Sequence, residues 1–113
     1  MVFLAKNNDI TDIFKQSVKL LCKINNISPR KPGFETIDNF VIIRVKNHLK
    51  DEVDLDCFHI LNLIYRIVGP FGIKFTQHLW LFPDSKRVDR IDVSFKNKDY
   101  DALNAKMKEM TGT

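Results

Sequence analysis

Residues Leu55 to Val68 form an apolar run with only a thin polar seam. Cys57, Phe58, Ile60, Leu61, Leu63, Ile64, Tyr65, Ile67 and Val68 point in nearly every direction around a helix, leaving His59, Asn62 and Arg66 for water. A helix on the outside of a small domain shows one apolar stripe, whereas one that is apolar on most of its circumference is covered from two sides. In a chain of 113 residues that cover is either a second layer of the same molecule or another subunit. The run bears on packing and assembly, not on chemistry.

A chain of this length fits one domain over residues 1–113. An apolar fraction of 44% with nine Phe supplies a core, and 28% charged residues is ordinary for a folded, soluble protein. Cys22 and Cys57 sit among apolar neighbours, where cysteine behaves as a small hydrophobe. Reduced thiols and an intracellular, cytoplasmic setting are therefore expected, without excluding the nucleus. Met1 to Ala5 is too short for a signal-peptide apolar region and runs at once into Lys6 and Asn7. No apolar run approaches the roughly 18 residues of a membrane span, so no membrane partner is expected. Lys outnumbers Arg by 13 to 5, and Asn, Ile and Phe are plentiful. Those residues have AT-rich codons, which suits a viral or low-GC microbial source.

Residues 2–6 read as a short first strand at a sheet edge. Asp9 offers a helix N-cap with Asp12 in the first turn, and Ile10, Ile13, Phe14, Val18, Leu21 and Ile24 follow helical spacing. The two prolines of Ile27 to Gly33 exclude helix or central strand there. Asn39 to Lys46 reads as a strand with Phe40, Ile42, Arg44 and Lys46 on one face and Val41, Ile43 and Val45 on the other. Asp54 or Asp56 caps the apolar helix, and Gly69-Pro70 stops it. Ile73 to Phe82 and Arg87 to Lys96 form an antiparallel hairpin, the second strand with Ile91, Val93 and Phe95 inward. Asp99 caps a last helix carrying Tyr100, Leu103, Met107 and Met110. The expected fold class is α+β: a small antiparallel or mixed sheet of three to four strands packed with three helices, in the order β-α-β-α-β-β-α.

Lys15, Lys19 and Lys23 recur at every fourth position and make a stripe on the first helix, with Arg30 and Lys31 in the following loop. Five cations along one edge could contact phosphates and release counterions. A solvated helix face is the plainer account of the same stripe. On the third strand Lys74, Thr76, His78, Trp80 and Phe82 share a face, mixing donors with aromatics in the manner of single-strand binding sites. The competing account places Trp80 and Phe82 in the core.

His48, His59 and His78 form no helical i, i+4 pair with another metal-ligand type. The acids Asp51, Glu52, Asp54 and Asp56 lack the central glycine of a calcium loop. Neither a glycine-rich phosphate loop nor a nucleophile elbow is present. No catalytic residue, metal or cofactor is assigned on these patterns, and a non-enzymatic role is expected. The formal charge of +4 and its clustering favour a small nucleic-acid-associated regulatory protein using Lys15, Lys19, Lys23, Arg30 and Lys31, with Lys74 and Trp80 as a second surface. The alternative is a protein–protein interaction module (inhibitor, adaptor or assembly factor) that self-associates as a dimer through the apolar helix. The two roles are compatible, since dimeric regulators double their contacts by symmetry.

Overall fold

The computed structural model describes residues 12–49, 54–83 and 88–110. Helix α1 (Ile13–Ile24) is followed by strands β1 (Pro32–Ile37) and β2 (Phe40–Lys46), and then by helix α2 (Leu55–Val68). A 3-10 turn over Gly69–Phe71 leads to strands β3 (Thr76–Leu81) and β4 (Val88–Lys96) and to the last helix, α3 (Asn97–Met110). The four strands form one antiparallel sheet in the order β1-β2-β4-β3. The described residues adopt the expected α+β class, with three helices and a sheet of four strands where three to four were expected.

The strand expected at residues 2–6 and the Asp9 cap lie outside the described residues, and one detail of the remaining order differs. The loop expected through Pro32-Gly33 instead runs into β1, which turns back through Asp38-Asn39 to pair with β2, Ile37 lying opposite Phe40. Proline is tolerated there because it begins an edge strand, where an amide donor is not required. Asp38 adopts a left-handed φ of 53° at that turn, a conformation that Asp and Asn take more readily than other side chains.

Capping follows local chemistry. Asp12 closes the start of α1, accepting a hydrogen bond from the Lys15 amide at 3.0 Å. Asp54 caps α2 and accepts from the Asp56 amide at 3.1 Å. The α-helix ends at Val68 with Gly69 as its C-cap, as expected; the chain then tightens into the 3-10 turn and leaves it at Gly72, whose φ of 64° suits a residue without a Cβ.

The two central strands, β2 and β4, each carry an apolar face toward the helices. Ile43, Val45, Ile91, Val93 and Phe95 are buried there, alternating along β2 and β4 as the sequence predicts. Phe14 of α1, Phe95 of β4 and Tyr100 of α3 meet edge-on, with ring centroids 5.5–5.7 Å apart, an arrangement that aromatic quadrupoles favour. Helix α2 buries Cys57, Ile60, Leu63, Ile64 and Val68 against the sheet and α1. Two flanks are therefore covered, as its composition demands. The third flank is open, and it holds more than the polar seam: Leu55 (65% exposed), Phe58 and Tyr65 lie beside His59, Asn62 and Arg66.

Candidate nucleic-acid interface

With the helices packed on one side, the other face of the sheet is left to solvent among the described residues. The register sets its side chains out in rows. Arg44 lies opposite Asp92, Lys46 opposite Arg90, Ile42 opposite Ser94 and Phe40 opposite Lys96. From the far strand, Thr76, His78 and Trp80 lie opposite Ser94, Asp92 and Arg90. Period-two alternation sets this face opposite the core face on the same strands, and it mixes charged and polar side chains with Phe40, Ile42 and Trp80.

Asp92 organises the centre. It is buried, and Arg44 grips it with two hydrogen bonds, Nε to Oδ1 at 2.9 Å and Nη2 to Oδ2 at 3.2 Å. The indole Nε1 of Trp80 donates to Asp92 Oδ2 at 2.9 Å. Burial alone would raise this carboxyl's pKa, but hydrogen bonds from Arg44 and Trp80 and the nearby Arg90 charge hold it below the ordinary carboxylate value. Arg44 also reaches Glu35 of β1, Nη1 to Oε1 at 3.5 Å.

Arg90 is held differently. Its guanidinium carbon lies 4.5 Å from the Trp80 ring centroid, in cation–π range. Its Nη1 donates to Asp89 at 3.1 Å, while Nε is buried without a hydrogen-bond partner, 3.7 Å from Asp92 Oδ2. The His78 ring sits 4.3 Å from Trp80 on centroids. Trp80 is 41% exposed, so it belongs to the open face rather than the core, against the plainer account of that residue. Its ring is nevertheless engaged by Arg90 and His78, and its nitrogen by Asp92.

Around this braced centre stand Lys46, Lys74 and Lys96, all exposed and in no ion pair among the described residues. Lys74 and Lys96 share a cleft of about 490 Å³ with Phe40, Thr76 and Ser94 at one end of the face. At the opposite end, Arg30, Arg44, Lys46 and His48 line a groove of about 410 Å³ beside β1. Phe34 forms part of that groove's wall, and the Lys15 and Lys19 ammonium groups lie 5.7 and 5.8 Å from its ring centroid. The basic helix stripe is thereby joined to the open face around the β1 edge.

The residues singled out from the sequence divide accordingly. Lys15 and Lys19 flank Phe34, with Lys19 Nζ also donating to the Pro29 carbonyl at 2.9 Å. Lys23 is exposed in the last turn of α1, and Arg30 is exposed on the groove. Lys31 is already matched: it forms a largely buried ion pair with Asp54, so its charge serves the fold. Burial would raise the Asp54 pKa, but the hydrogen bond from Lys31 and the amides of His48 and Asp56 hold it down. Lys74 and Trp80 share the open face. Arg44, Lys46, Arg90 and Lys96 were sorted onto their faces by strand parity, yet nothing local to any one strand brings them together; the pairing of β2 with β4 does.

Of the acidic run, Asp51 and Glu52 lie outside the described residues, and Asp54 is taken up by capping and by Lys31. Cys22 and Cys57 are buried free thiols, and burial pushes the Cys57 thiol up to about 11, where it is not a nucleophile at neutral pH. No described helix is long and apolar enough to cross a membrane. Comparison with protein-family models, with curated proteins and with solved structures finds no match in any of the three.

Proposed function

We propose that the protein binds nucleic acid, with the open sheet face as the main contact surface and the Lys15, Lys19 and Arg30 edge continuing it around β1. One observation carries this reading. The uncovered face presents Lys46, Lys74 and Lys96 around a centre whose own acid, Asp92, is already matched by Arg44. Lysines on exposed strands and loops contact phosphates as point charges and gain affinity from counterion release. From Lys46 to Phe40, β2 spans about 20 Å at ~3.3 Å per residue, room for several successive phosphates. Trp80 contributes by steadying Arg90 rather than by offering an unoccupied ring for base stacking. Within this reading Lys31 has no direct role.

The test is fluorescence anisotropy with labelled 20-nucleotide single strands and duplexes at two salt concentrations. The expected result is binding that weakens steeply with salt. A Lys46→Ala, Lys74→Ala, Lys96→Ala variant should lower the duplex salt slope by about 2–3, at ~0.9 per phosphate contact. No binding to either probe at low salt, or an unchanged slope in the variant, overturns the proposal. A protein-interaction role is the second reading, favoured by Leu55, Phe58 and Tyr65 standing exposed on α2.

A further inference from the structure

The two edges of the sheet are unlike. At β1, Pro32 lacks an amide donor, Glu35 places a charge on the strand, and Lys15 and Lys19 of α1 lie against Phe34. Proline and charge on an edge strand are the usual defences against pairing with another chain. Strand β3, at the other edge, has none of them. All six residues, Thr76-Gln77-His78-Leu79-Trp80-Leu81, are exposed, and none is proline, aspartate, glutamate, lysine or arginine. Among the described residues nothing pairs with its outer side. Its pairing with β4 is regular from Thr76 to Trp80, with a register shift only between Trp80 and Leu81.

The faces of β3 are as unusual as its edge. Leu79 pairs with Ile91, a core residue, so it points to the helix side of the sheet. It is nevertheless 48% exposed, and Leu81 is 49% exposed. The described helices do not reach far enough to cover them. Beyond Phe75, whose ring lies 4.9 Å from that of Tyr65 on centroids, the flank of α2 carrying Tyr65 and Phe58 is open as well.

We propose that β3 pairs edge to edge with β3 of a second copy of this chain, antiparallel about a two-fold axis, to make a continuous eight-stranded sheet. Three features point to a second copy as the occupant. Antiparallel self-pairing of Thr76–Leu81 opposes no like charges of aspartate, glutamate, lysine or arginine, because the segment contains none of them. Directly opposed residues in an antiparallel pair share a face, so Leu79 meets Leu79 or Leu81 of the partner on the helix side and apolar groups there cover one another. Finally, the defended β1 edge ends the sheet in each copy, so association closes at two, as an isologous contact does. This inference stands independently of nucleic-acid binding.

The experiment is sedimentation velocity on the full chain without nucleic acid, over a hundredfold range of concentration, beside a Leu79→Lys variant. Leu79 is half exposed, so the lysine can extend into water in a lone subunit, and unchanged circular dichroism will show that the fold persists. Should Leu79→Lys fail to fold, Gln77→Lys, on the same face at an exposed position, replaces it. The wild-type protein should move from monomer to dimer as concentration rises, with the folded lysine variant monomeric throughout. A wild-type monomer at every concentration overturns the proposal, as it would if another segment of the same chain occupied this edge. A dimer that survives the lysine, or assemblies larger than two, overturn it as well.

Discussion

Asp92 and Asp54 each sit under basic partners, and the two acids have different work. Asp54 and Lys31 are both largely buried, so removing one charge strands the other. Asp54→Asn should destabilise the protein by about 3 kcal/mol, the usual cost of breaking a buried pair, read as a fall in the thermal midpoint. Both acids titrate below their ordinary value in the folded protein. Their contribution is therefore present above the unfolded carboxylate pKa of ~3.9 and is lost as pH falls through the folded values. Thermal melts from pH 7 to pH 3 should show stability declining at the acid end, with a shallower decline in Asp54→Asn. Trp80 offers a second check at this scale. Trp80→Phe keeps a ring beneath Arg90 and should cost about 1 kcal/mol for the lost hydrogen bond to Asp92. Trp80→Ala removes the ring as well and should cost roughly 1 kcal/mol more. Equal losses in the two variants would show that the ring–guanidinium contact contributes nothing.

The first and last helices are tied together at one point. Tyr100 of α3 donates its hydroxyl to both oxygens of Asp12, at 2.7 and 2.9 Å, and Asn104 Oδ1 accepts from the Phe14 amide at 2.8 Å. Side chains of α3 thus meet donors and acceptors at the start of α1, which helix termini otherwise leave to water. Tyr100→Phe should cost about 1 kcal/mol or more, because Asp12 loses a partner. Leu103→Ala, deep in the core beneath the same helix, should cost ~2–5 kcal/mol. Chemical denaturation measures both. The individual elements were largely legible in the sequence, because period-two and period-3.6 patterns report which side of a segment is buried. The inward set Ile91, Val93 and Phe95 was read this way, and so were α2 and its two covered flanks. Strand β1 was hidden behind Pro32 and Gly33, whose local preferences argue for a loop while the edge position tolerates both. The Asp12–Tyr100 bond left no local trace, since it joins residues 88 apart.

For the whole molecule, placing the described helices on one side of the sheet β1-β2-β4-β3 leaves, among the described residues, a broad second side for solvent or a ligand. The candidate site is spread over that side, with cations drawn from β2, β4 and the segment before β3. Sequence alone marked Lys74 and Trp80, but the strand order that sets them beside Arg44 and Arg90 is a long-range property. Parity assigns a residue to a face and says nothing about which strand is its neighbour. At this scale the expected behaviour is electrostatic. Raising salt from 50 to 200 mM should weaken the proposed nucleic-acid binding by an order of magnitude or more if three or more phosphates are neutralised, while the thermal midpoint changes little because the buried Lys31–Asp54 pair is poorly screened.

The bond between Tyr100 and Asp12 also bears on how the chain acquires its shape during synthesis. Helix α1 leaves the ribosome before α3, and although Asp12 caps it locally, the Tyr100 and Asn104 groups that also hold its beginning arrive only with α3. A nascent chain halted before residue 97 should keep that start frayed and open to protease, and release of α3 should close it in a single late step.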